Sequence, residues 1–195
     1  MVSLDSESDV LQRGDSAPSF ELAGADGETY RLEDFGDYEA LLVVFTCNHC
    51  PYARAKMPEL NRLSGEYDDL AVVGINANDP KEYPDDSFGR MQELIADGTV
   101  DYDAYLHDAD QSVAAAYGAR CTPDPFLFAG DDGFRLAYHG RLDDAPNPDD
   151  DPSEREMAAH VETLLSGGEI TAAEKPSRGC SIKWMEGNEP DYWDL

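Results

Sequence analysis

Cys47, Asn48, His49 and Cys50 lie in the stretch FTCNHCPYARAKMP, Phe45 to Pro58, and set two thiols three residues apart. A Cys-x-x-Cys pair works as a redox couple or as half of a metal site. Two more cysteines follow, Cys121 and Cys180. A thiol attacks as its thiolate, and a helix amino terminus favours the thiolate through free N–H groups and the positive end of its dipole. The start of the helix therefore decides which sulfur reacts. Pro51 suits the first helical position, where its missing N–H would be unpaired anyway. That puts Cys50 at the cap and leaves Cys47 close to the end of the preceding strand. Cys50 is the expected nucleophile, with Cys47 as the alternative and otherwise as its partner thiol. His49 would stabilise a thiolate or pass protons, or else be an exposed loop histidine. Arg54, one turn into the helix, adds positive charge or is a solvated helix residue, the second being preferred.

The elements that must hold these residues follow from pattern. ALLVVF, Ala40 to Phe45, is short and continuously apolar, as a buried central strand should be. Pro51 to Tyr67 follows as a helix with Ala53, Met57, Leu60 and Tyr67 near helical spacing. LAVVGIN, Leu70 to Asn76, is a second buried strand. The chain before Ala40 reads as a short strand ending near Leu22, a turn at GADG (24–27), and a returning strand over 28–32. After a Pro-rich loop over 79–86 come a helix over 87–97, a short strand over 105–107, and a helix over 110–117 closed by Gly118. Strands over 126–129 and 134–140 flank Gly130-Asp131-Asp132-Gly133, a hairpin turn. Ser153 with Glu156 three residues on predicts a capped helix to Leu165. The order gives an α/β sheet of mixed direction with helices on both faces. The chain divides into an amino-terminal extension (1–13), a domain (14–168) and a carboxyl-terminal extension (169–195), expected to pack on the domain through Trp184 and Trp193.

Composition narrows the classes of function. The chain has 195 residues, with 42 Asp and Glu against 14 Lys and Arg, a formal net charge of −28. Phosphate backbones would be repelled, so nucleic acid is not an expected partner. No apolar run approaches the roughly 20 residues of a membrane helix, and MVSLDSESDVLQRGD lacks the basic-then-apolar pattern of a signal peptide. A cytoplasmic protein is expected. Acids spread along the whole chain favour adaptation to concentrated salt, where screening shortens to about 3 Å at 1 M. Four cysteines in such a setting point to catalysis or metal instead of a structural disulfide framework. No Gly-rich phosphate loop is present, so no nucleotide cofactor is expected.

The segments APSFELAGADGETYRL, ALLVVFTCNHCP, CTPDPFLFAGDDGFRLAYHG and GCSIKW, taken in order, resemble the thioredoxin-like redoxin superfamily. The likeness is nearest to its peroxiredoxin-like branch, related to alkyl hydroperoxide reductase and thiol-specific antioxidant proteins. It covers about residues 14 to 184 and implies a thioredoxin-like fold with thiol redox chemistry. In that family the first motif cysteine follows the last strand aromatic by about five positions, and a kinking proline comes about eight later. Here Phe45, Cys50 and Pro58 keep that spacing. Ala53 then stands where the second thioredoxin cysteine would be, and Cys47 is an extra thiol in front.

The resemblance further implies that Thr122-Pro123 is the Thr–cis-Pro facing the redox cysteines. Its exposed backbone would pair with an extended substrate peptide, and Cys121 would lie near Cys50, either as an alternative to Cys47 for resolving a mixed disulfide or as simple packing. Cys180 is either a resolving thiol or an anchor for the tail, the anchor being preferred on spacing. A thiol–disulfide oxidoreductase is expected, with a protein or small-molecule disulfide as substrate and a thioredoxin or low-molecular-weight thiol as reductant. A thiol-dependent peroxidase is the alternative. It is disfavoured because, counted from Cys50, the Thr/Ser and Pro positions of the peroxiredoxin pattern Pro-x-x-x-Thr/Ser-x-x-Cys hold Cys47 and Val43. A third reading is a non-catalytic zinc module using the four cysteines, or His49 in place of one. No second Cys-x-x-Cys supports it, and no metal is expected.

Overall fold

The computed structural model describes residues 3–130 and 133–193. Its main sheet is built around β4 (Ala40–Phe45), every residue of which is buried. β4 runs parallel to β5 (Leu70–Asn76) and antiparallel to β8 (Asp124–Ala129). Beyond β5 lie β6 (Ala104–His107), β2 (Glu21–Gly24) and β3 (Thr29–Arg31), and beyond β8 lies β9 (Arg135–His139). The sheet order is therefore β3-β2-β6-β5-β4-β8-β9.

Alternate residues of a strand face opposite sides, and β4 feeds two separate cores. Leu41, Val43 and Phe45 pack with Tyr117, Phe126 and Phe128 on one face. Ala40, Leu42 and Val44 pack with Leu60, Leu63, Met157 and Val161 on the other. The first face is covered by α3 (Ser112–Tyr117), closed by Gly118 at φ 73°. The second is covered by α1 (Pro51–Glu66) and α4 (Glu156–Leu165). Burying a side chain the size of Leu or Phe is worth about 1.5–3 kcal/mol, so β4 is held between two cores and gives α1 a fixed starting point. A third cluster joins Met57 of α1 to Met91 and Leu94 of α2 (Phe88–Ala96). Among the described residues, no helix is long and apolar enough to cross a membrane.

One expectation needs correction here. Ser153 does not cap α4: the helix begins at Glu156 with Arg155 as its cap residue and no side-chain cap bond. Asp144 has taken Ser153 instead, accepting from its N–H at 2.8 Å and its hydroxyl at 3.0 Å. The hairpin turn 130–133 joins the antiparallel pair β8 and β9, but its two central residues lie outside the described residues.

The chain's two ends meet. β10 (Arg178–Ser181) lies between β1 (Ser3–Asp5) and β7 (Cys121–Thr122) in a small antiparallel sheet. Ile182 enters the main core, and Trp184 packs edge-on against Trp193 at 5.8 Å.

Candidate active site

The site forms where β4 ends, α1 begins and β7 approaches. Cys50 is the cap residue of α1, extended at φ −66° and ψ 125°, and its carbonyl accepts from Arg54 N at 2.9 Å. Pro51 occupies the first helical turn. The Thr122–Pro123 peptide bond is cis, and Cys50 Sγ lies 3.4 Å from Thr122 O. Cys47, Cys50 and Cys180 gather in one buried cluster with Ala53, the position that follows Cys50 by three. Arg54 is exposed.

Cys50 is joined to Cys180 by a disulfide whose Cα atoms are 6.3 Å apart. This differs from the expected pairing with Cys47 and from the preferred reading of Cys180 as an anchor alone. The cause is β10, which sets Cys180 opposite Thr122 and so directly over the cap of α1. Cys47 instead turns to the Thr122 hydroxyl, 3.2 Å from its sulfur, and is a free thiol. Burial pushes the Cys47 thiol up to about 12, the nearby Asp86 charge adds to the effect, and the contact with Thr122 only partly offsets it. Cys121 is also free and buried. It neighbours Thr122 on β7, where successive side chains face opposite ways, and its thiol donates to Pro123 O at 3.5 Å. Cys121 is no member of the Cys50 cluster. The zinc set of four cysteines is accordingly not assembled, since two are bonded to each other and Cys121 lies outside the cluster.

His49 is held by a residue the sequence did not single out. Asp86, fully buried, accepts from His49 Nδ1 at 2.6 Å, Asn48 N at 2.7 Å, His49 N at 3.3 Å and Asn78 Nδ2 at 2.7 Å. With Asp86 accepting at Nδ1, the neutral ring carries its lone pair on Nε2, a buried atom without a hydrogen-bond partner. The ring stacks on Tyr83 at 5.2 Å, and Lys183 Nζ lies 5.6 Å from the centre of the Tyr83 ring. Cys47, His49 and Asp86 offer ligand atoms within 4.8 Å of one another. The Asp86 oxygens are already engaged by four donors, which accounts for that carboxylate without a metal.

The cis-Pro loop has its own buried pair. Asp124, next after Pro123, accepts from Arg120 N at 2.9 Å and contacts His139 Nε2 at 2.7 Å. The His139 ring stacks on Phe126 at 4.0 Å. No local motif surrounds His139, although Asp124 stands inside CTPDPF and marks the loop that needs holding. Burial works against the charged imidazole, but the Asp124 charge and hydrogen bond outweigh it, and the His139 pKa is raised. A pKa raised on folding stabilises the fold fully below the unfolded value near 6.5, and that stabilisation is lost as pH rises through the folded value. Stability should therefore fall as pH rises above about 6.5 and through the raised folded value, by an amount that His139→Gln removes. Urea melts of both proteins check this, and an unchanged slope in His139→Gln would refute it.

The comparisons with known proteins bear on the whole site. A hypothetical protein from Sinorhizobium meliloti 1021 is 40% identical, with a TM-score of 0.85 over 94% of this chain and 99% of that one. An uncharacterized conserved protein from Geobacillus kaustophilus is 37% identical, with a TM-score of 0.86 over 95% and 97%. The thiol-disulfide oxidoreductase ResA of Halalkalibacterium halodurans is 26% identical over 60% of this chain and 63% of its own. The chain thus spans less than two thirds of the length of the curated relatives it matches. More distant thioredoxin-like structures, at 23% and 19% identity with TM-scores of 0.55 and 0.56, share the fold. Residues 13–137, well over half the chain, match the model of the AhpC/TSA family; the chain belongs to that family and has a thioredoxin-like fold, as the motifs around Cys50 and Pro123 lead one to expect.

Proposed function

We propose that this protein is a thiol–disulfide oxidoreductase in which Cys50 attacks a substrate disulfide and Cys180 closes the cycle. The observation that carries the reading is the Cys50–Cys180 disulfide at the amino terminus of α1. The free N–H groups of that terminus favour a Cys50 thiolate once the disulfide is reduced. Cys47, by contrast, is buried with its thiol pushed up to about 12, a poor nucleophile near neutral pH. The Cys50 thiolate attacks one substrate sulfur, the substrate S–S bond breaks, and the departing sulfur leaves as a thiolate that takes a proton. The Cys180 thiolate then attacks Cys50 Sγ and expels the first substrate sulfur. Two electrons pass from the two protein thiols to the substrate, and a low-molecular-weight thiol or a dithiol protein of the cytoplasm returns them. Thiol trapping with mass mapping tests this. In a graded redox buffer Cys50 and Cys180 should become protected together while Cys47 and Cys121 stay alkylatable after unfolding; a Cys47–Cys50 disulfide, or a free Cys50 in the oxidised protein, would refute it.

The family match favours a second reading, peroxide reduction. The Cys50 thiolate would attack one peroxide oxygen, the O–O bond would break with the other oxygen leaving as water or an alcohol, and the sulfenic acid would condense with Cys180 while losing water. Val43 and Cys47 at the activating positions weigh against fast turnover.

A further inference from the structure

β10 lies on the Thr122–Pro123 edge, the place where sequence reading expects a substrate peptide to pair. Cys180 sits opposite Thr122, and Ser181 opposite Cys121. Gly179 comes so close that a Cβ there would lie 2.1 Å from Thr122 O and 3.0 Å from Pro123 N. These are backbone atoms, so no side-chain rotation relieves the clash; a glycine is needed before the cysteine for the strand to seat. β1 seals the outer edge, with Ser6 N donating to Ser177 O and Ser177 N to Ser6 Oγ, both at 2.8 Å. Cys50 is 0% and Cys180 2% exposed, so a reductant reaches the disulfide only in the moments when β10 lifts, and reduction then keeps β10 from seating again. Residues 168–177, which lead into β10, contain no helix or strand.

We infer that Arg178–Ser181 is a tethered stand-in for the substrate: β10 swings off the Thr122 edge on reduction, and an extended segment of a disulfide-bonded partner protein, with glycine before its cysteine, takes its place. This rests on the reading of Cys50 as nucleophile and adds the partner's chemistry to it. Strand exchange and thiol exchange are then one event. When β10 returns, Cys180 attacks the mixed disulfide on Cys50, forms the Cys50–Cys180 bond, and releases the partner's cysteine as a thiolate that takes a proton. The partner has gained the two electrons that the protein has lost, and a dithiol reductant restores them.

The test uses the reduced full chain and short peptides whose cysteine is blocked as a mixed disulfide with thionitrobenzoate and preceded by Gly or Val. Attack by Cys50 on the peptide sulfur releases coloured thionitrobenzoate. The Gly-Cys peptide should react at least about tenfold faster than the Val-Cys peptide, while free dithiothreitol shows no such difference. Equal rates with the protein would overturn the inference. The symmetric aromatic disulfide of the same reagent separates the two readings. If Cys50 reacts with it no faster than free cysteine does, the proposed function fails; if it reacts quickly but the peptides are not distinguished, only the edge inference fails. A second arm uses Gly179→Val, which should hold β10 off the edge and leave Cys50 and Cys180 reduced in a buffer that oxidises the native pair. A Gly179→Val protein that closes the disulfide normally would also overturn the inference. Should this variant not fold, the peptide comparison decides alone.

Discussion

Cys50→Ser is expected to lower the rate of disulfide exchange by about 10³-fold or more, whereas Cys47→Ser keeps it within about one order of magnitude. The two thiols are only three residues apart, so composition and proximity predict similar effects; position relative to α1 does not. Cys50 is the cap residue of α1 and bonds to Cys180. Cys47 faces the Thr122 hydroxyl, and its burial holds the proton on. A serine at 47 replaces that contact with a hydroxyl pair of similar shape. Cys180→Ser should separate the steps, because Cys50 still attacks but nothing returns to release the substrate. Intact-mass measurement should then find mixed disulfides accumulating on Cys50. Accumulation on Cys47 in Cys50→Ser, at the rate seen with Cys180→Ser, would reverse the assignment.

Much of this arrangement is legible because local pattern and local structure coincide. β4 and β5 are short apolar runs with both faces buried, and they span Ala40–Phe45 and Leu70–Asn76 as the hydrophobic pattern predicts. Pro51 marks the first turn of α1, which fixes Cys50 at the cap. What is not legible depends on contacts between distant segments. Arg178–Ser181, RGCS, has no strand alternation and becomes a strand only because β1 and β7 flank it. Without that placement, spacing alone cannot bring Cys180 to Cys50 across 130 residues. The same gap hides Asp86, one acid among 42 in a Pro-rich loop. The predicted cap at Ser153 fails for the converse reason, since a local signature lost its side chain to Asp144.

Asp86→Ala should cost at least about 3 kcal/mol of stability, because it removes one acceptor from several buried donors at once. Asp86 is fully buried and serves four donors from Asn48, His49 and Asn78. Alanine would leave those donors without the acceptor they share, and each unpaired buried donor costs about 1–3 kcal/mol, not additively. The loss falls on one place: the turn between β4 and α1, where Asn48 and His49 immediately precede Cys50. Asn48 also accepts from Tyr105 at 2.6 Å, and Asn78 accepts from Lys183 N at 2.8 Å, so Asp86 ties the Cys-x-x-Cys turn to the tail after β10. Asp86→Asn keeps the shape and one acceptor oxygen and should lose less stability, but it offers His49 Nδ1 a weaker partner. If Asp86 only supports the fold, the exchange rate of Asp86→Asn should keep the native pH profile. If it orients His49 for proton transfer at the thiols, the profile should shift with the altered basicity of the ring. Denaturant melts together with rate–pH profiles of the two variants distinguish these outcomes, and an Asp86→Ala protein as stable as the native one would remove Asp86 from the site altogether.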